Sequence, residues 1–163
     1  MNLPPEFNAM STFPPYCVLC VDDEASGLKL RRLILERKGY LVSTAANVSE
    51  ALALFKSRDF DVVVTDHLLG RETGKAMAKE MKRLKPYVPI IMFSGTTDTP
   101  EGIETADAFM SKAEGPELLF AKLYELAVRS RSASSVHSHP HGREVALNGI
   151  GDFATVSRPR GVI

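Results

Sequence analysis

The chain has no surplus of either charge: 20 lysines and arginines are matched by 20 aspartates and glutamates over 163 residues. No global field therefore draws it to nucleic acid, an anionic membrane or an acidic substrate, and any partner must be recognised locally. Long apolar runs are missing too. None approaches the roughly 20 residues that span a bilayer, and nothing near Met1 resembles a charged segment followed by an apolar core. The expectation is a cytoplasmic protein without a membrane partner. There is no internal repeat, no P-loop and no G-x-G-x-x-G sequence, so nucleotide-cofactor readings lose their usual support. Cysteine is scarce. Cys17 and Cys20 have C-x-x-C spacing, but they lie in the apolar run Tyr16 to Val21, where strand alternation sends them to opposite faces. With no second pair to complete a zinc site, they read as buried thiols.

What is present is an alternation of strand-length apolar runs with segments of helical period. Strands are expected at Tyr16 to Val21, Tyr40 to Ala45, Phe60 to Thr65, Val88 to Phe93 and Asp107 to Ser111. A first helix spans about Glu24 to Lys38, with Leu28, Leu30, Leu33, Ile34 and Leu35 largely on one face, and stops at Gly39. A second opens with Asn47-Val48-Ser49-Glu50, a capping residue with a glutamate three positions later. A third runs from about Gly74 to Leu84, and a last from Pro116 to about Ser130. Between Ser94 and Asp107 the composition predicts a helix shortened to a turn or absent. Such alternation implies an α/β doubly wound fold, a parallel sheet covered on both faces. Residues 1–15, with four prolines, read as an extended arm, residues 16–130 as the single domain, and residues 131–163 as a disordered polar tail. His137, His139 and His141 in that tail read as solvated rather than as a metal site.

In doubly wound folds, sites form at the carboxyl ends of strands. Here those ends are Asp22-Asp23-Glu24, Thr65-Asp66, Phe93-Ser94-Gly95 and Ser111-Lys112. Three converging carboxylates repel one another unless a cation neutralises them, and a small all-oxygen set with room for water and phosphate suits magnesium better than calcium. Lys112 offers a positive charge to a phosphate oxygen and Ser94 a hydroxyl donor. A carboxylate can attack phosphorus to form a mixed anhydride, and Asp66 needs no base because it is already ionised. The pattern points to a phosphoryl site. Singly, each residue has a bland explanation as a helix cap, a solvated lysine or a turn serine; their order at successive strand ends carries the argument.

Residues 16–130 resemble the receiver domain of two-component response regulators. The resemblance implies a five-stranded, flavodoxin-like sheet of order 2-1-3-4-5. It implies that Asp66 is the phosphoacceptor, that Asp23 and Asp66 bind Mg2+ directly with the Leu68 backbone carbonyl, and that Asp22 assists through water. Ser94 takes the switch hydroxyl position, Phe109 the switch aromatic, Lys112 the phosphate-pairing position, and Gly74 the family glycine of the following loop. Two departures stand out. Gly70 replaces a common proline, which is expected to leave its loop more flexible, and Ala113 replaces the proline that usually follows the lysine.

The resemblance implies a stand-alone switch rather than an enzyme. A histidine kinase or histidine phosphotransfer protein would supply the phosphoryl group, and a changed surface would bind a downstream protein. The expected state is a monomer or a phosphorylation-dependent dimer, without direct nucleic-acid binding because the polar tail is too short for a helix-turn-helix module. One alternative is a metal-dependent aspartyl-phosphate phosphatase or phosphotransferase, which usually adds an aspartate two residues after the nucleophile, where this chain has Leu68. Another is a phosphorylation-independent interaction domain, usually betrayed by a lost acidic or lysine position.

Overall fold

A computed structural model describes residues 15–95 and 105–137, with side chains to residue 133. The strands β1 (Cys17–Val21), β2 (Leu41–Ala45), β3 (Val62–Asp66), β6 (Ile90–Ser94) and β7 (Ala108–Ser111) form one sheet, and β4 (Leu68–Leu69) pairs with β5 (Glu72–Thr73) in a small hairpin. All pairings in the large sheet are parallel, in the order β2-β1-β3-β6-β7. Counting only those five strands, this is the flavodoxin-like 2-1-3-4-5 order. The described helices are α1 (Ala25–Arg37), α2 (Val48–Ser57), α3 (Gly74–Leu84) and α4 (Pro116–His137).

Strand alternation builds two cores, one on each face of the sheet. Leu19, Val21, Val63, Ile90 and Met92 pack with Phe55 of α2 and Met77 and Met81 of α3. Val18, Cys20, Val62, Val64 and Ile91 pack with Leu28 and Leu35 of α1 and Leu119, Leu123 and Leu126 of α4. Both cysteines are free, and they fall on opposite sides: Cys17 borders the first core and Cys20 belongs to the second. Desolvation pushes the Cys20 thiol up to about 12.

The local signals act as the sequence suggests. Asn47 accepts the Glu50 N–H at 2.8 Å, while the Glu50 carboxylate returns to the Ala46 N–H. Gly39 ends α1 with φ at +90°, a conformation costly to side-chain-bearing residues.

Three expectations are corrected. Leu30 and Leu33 are exposed, because the helical period passing through buried Leu28 and Leu35 carries Arg31, not those leucines, toward the sheet. The loop after Asp66 closes into the β4–β5 hairpin: Gly70 adopts φ of +63° as the first residue of a two-residue turn. The last helix does not end near Ser130 but continues to His137, so residues 131–137 belong to it rather than to a disordered tail. Arg131 explains the extension. It forks onto Asp61 with Nε–Oδ1 at 3.2 Å and Nη2–Oδ2 at 2.8 Å, and lies 4.1 Å from the centre of the Tyr16 ring. The expected arm before residue 15, the altered segment at 96–104, and the tail beyond 137 with His139 and His141 lie outside the described residues.

Candidate functional site

The carboxyl ends of β1, β3, β6 and β7 meet at one edge of the sheet because parallel pairing fixes their register. Val21 aligns with Thr65, Asp66 with Phe93 and Ser94 with Ser111, which brings Asp22, Asp66, Ser94 and Lys112 together. Asp22, Asp23 and Asp66 each offer a carboxylate oxygen within 4.8 Å of the other two. This donor set fits a hard divalent ion: all oxygen, compact, and open on the side of exposed Asp23.

The three carboxylates are held differently. Asp22 is fully buried; its Oδ1 accepts the Glu24 N–H at 2.9 Å and its Oδ2 faces both Arg31 and Lys112. Asp23 is exposed and accepts the Gly70 N–H at 2.9 Å, a bond that a proline at position 70 could not donate. Asp66 is nearly buried at the end of the central strand, and its Oδ2 accepts from Lys112 Nζ at 2.7 Å. Leu68 donates its N–H to Asp66 Oδ1 at 3.4 Å, with an exposed side chain.

Lys112 spans two of the acids, standing 3.5 Å from Asp22 Oδ2 as well. Partial burial works against its charge, but the hydrogen bond to Asp66 and the fields of Asp66 and Asp22 outweigh that and raise its pKa above the ordinary lysine value. Its backbone N–H donates to the Ser94 carbonyl at 2.7 Å, tying the ends of β6 and β7. Ser94 itself is buried. Phe109, two residues before Ser111 on β7, is partly buried against the first core, opposite Met92 in register. Gly74 opens α3 against the peptide carbonyl of Asp66, and a Cβ there would collide with that oxygen, so the position demands glycine.

One residue at the site escaped the sequence reading: Arg31 reaches from α1 to Asp22. Gly70, singled out only as a departure in its loop, also caps Asp23. A signal for Arg31 existed: it stands three residues after Leu28 and four before Leu35, on the stripe those leucines bury.

A family profile described as the response regulator receiver domain matches residues 18–124. The alkaline phosphatase synthesis transcriptional regulatory protein PhoP of Bacillus subtilis is 33% identical over 121 residues, covering 72% of this chain and 50% of the relative. The chain thus spans about half the length of that curated relative. A CheY-like receiver domain protein from Methanospirillum hungatei superposes with a TM-score of 0.68 at 27% identity, covering 73% of this chain and 98% of the other. The response regulator TrrA of Thermotoga maritima, solved in complex with Mg2+ and BeF, gives 0.65 at 28% identity, covering 68% and 98%. The chain belongs to the response-regulator receiver family of two-component signalling. Members of that family are signalling switches that hold Mg2+ in an acidic pocket, and the aspartate cluster described above offers carboxylates that could hold a metal ion.

Proposed function

We propose that this chain is a phosphorylation-dependent switch whose phosphoacceptor is Asp66. The observation that carries the reading is Lys112 Nζ, 2.7 Å from Asp66 Oδ2, beside three carboxylates able to share one cation. The donor is a histidine kinase or histidine phosphotransfer protein. An Asp66 oxygen attacks phosphorus, the phosphorus–nitrogen bond to the donor imidazole breaks, and Lys112 turns from Asp66 to the charge on the phosphoryl oxygens. Bound Mg2+ supplies neutralisation of those oxygens and of the aspartates. Asp23 and Asp66 would hold it directly, with the Leu68 carbonyl, while Asp22, whose two oxygens face protein donors, would act through water. That TrrA, 28% identical, was solved in complex with Mg2+ and BeF supports the reading.

The readout follows from the strand ends. Ser94 turns to the phosphoryl group and Phe109 moves into the space it leaves, changing the surface offered to a downstream protein. We place the chain in the cytoplasm; no helix of the described residues is long and apolar enough to cross a membrane. The Bacillus relative is named a transcriptional regulator; for this chain we propose that the changed surface acts on a protein partner.

Incubation with Mg2+ and acetyl phosphate or phosphoramidate tests the reading. A single acid-stable, base-labile phosphate should appear by mass on Asp66 and be lost in Asp66→Asn. Modification elsewhere, or undiminished modification of that variant, refutes it. Lys112→Ala should retain Mg2+ binding while losing the response to phosphate.

A further inference from the structure

Arg31 occupies the buried stripe of α1, between Leu28 and Leu35, and its side chain is only 10% exposed. Its Nη2 donates to Asp22 Oδ2 at 3.2 Å, and its guanidinium carbon lies 5.2 Å from the centre of the Phe93 ring. Its Nη1 is buried and has no hydrogen-bond partner among the described residues. A guanidinium cannot shed its charge, and a buried N–H without an acceptor is a cost that stability alone does not repay. The group is thus an incompletely satisfied cation aimed at the aspartate cluster.

Charge counting shows what it does there. Asp22, Asp23 and Asp66 bring three negative charges, and Lys112 and Arg31 bring two positive ones, leaving a net charge of one. Without Arg31 the cluster would keep two. A divalent ion entering this weakly screened pocket must approach a fixed guanidinium or loosen its hold on Asp22. Among the described residues, one hydrogen bond and one ring contact hold the guanidinium.

We propose that Arg31 is a resident counter-cation of the acidic cluster, offsetting through Asp22 the negative charge that would draw the divalent ion and so holding Mg2+ affinity low. The inference rests on the divalent-ion reading above. Arg31 is here a positioning residue: it acts on the ion through Asp22. A merely structural arginine would give the opposite result on removal, because a damaged pocket binds metal less well.

Calorimetric titration of the full chain with MgCl2 at low ionic strength separates the two. Arg31→Met, which keeps the stem and removes the charge, should tighten Mg2+ binding five-fold or more, and Arg31→Lys should stay within two-fold of the parent. The Met variant should also melt lower without metal and gain more from Mg2+, since Asp22 has lost a cation. Arg31→Gln, a neutral donor, should shift affinity in the same direction and serves if the Met variant does not fold. On the unaltered chain, the Arg31 guanidinium resonances should move with the Mg2+ saturation curve. Parent binding with unchanged or weakened affinity in both neutral variants overturns the role of Arg31 alone. Absence of Mg2+ binding in every chain overturns the metal assignment and this inference with it.

Discussion

Arg131→Ala tests whether the last turns of α4 are part of the domain. The substitution removes a forked ion pair to Asp61, a donor at 3.2 Å from the Pro15 carbonyl, and a cation over the Tyr16 ring. The side chains of Arg131 and Asp61 are 26% and 16% exposed, which places the pair between a solvated contact and a buried one. The charge-assisted fork then contributes about 1.5 kcal/mol, the carbonyl bond roughly 0.5–1 and the ring contact roughly 0.5–1. Asp61 keeps the Cys17 N–H at 2.8 Å, so its carboxylate is not wholly orphaned. A total near 3 kcal/mol corresponds to a fall in Tm of about 10–12 °C for a domain of this size. Calorimetric melting of the variant, of Asp61→Ala and of the double variant gives the coupling directly. Ending the chain at Ser130 should cost at least as much as Arg131→Ala. A fall below 2 °C for Arg131→Ala would refute the claim that this side chain anchors the helix.

Gly74→Ala should destabilise by roughly 3 kcal/mol or more, read as a drop in urea midpoint, because the new methyl meets the Asp66 carbonyl and backbone must move. Gly70→Ala should cost about 1 kcal/mol through the +63° backbone alone, and since it keeps the N–H on Asp23, Mg2+ affinity should hold in the same samples. Cys20 is protonated in the fold well above its ordinary pKa of 9.0, so the folded state binds the extra proton between pH 9 and about 12. Its contribution to stability is present below pH 9 and is lost as pH rises through that window, by at most roughly 1.4 kcal/mol per unit. Replacing Cys20 with Val should flatten that part of the denaturation profile, and an unchanged slope would dismiss the thiol as its source.

Much of this structure was written in short-range chemistry. The Asn47 cap, the Gly39 stop and the alternating runs of β1 to β3 are local choices, decided by residues within a turn or two. The acids and the lysine were legible because strand ends are legible, and a parallel sheet leaves them one edge on which to meet. Arg31 was not. A lone arginine on a helix ordinarily faces water, and only the register of α1 against the sheet turns it inward. The hairpin at Leu68 to Thr73 was hidden for a related reason, since the gain from Gly70 depends on Asp23, distant in sequence, to receive its N–H. Arg131 deceived by composition: polar neighbours suggested a tail, whereas its partner Asp61 stands 70 residues earlier in the chain.

The strand order also sets how firmly each member of the site is mounted. Asp66 ends β3, which is hydrogen-bonded on both sides and buried along its whole length, whereas Lys112 follows β7, a border strand with one neighbour. Local opening is cheapest where one ladder alone must break. Amide exchange should accordingly be slowest in β3 and faster in β7. The acceptor thus works as a fixed anvil, and the adjustable part is the lysine at the border.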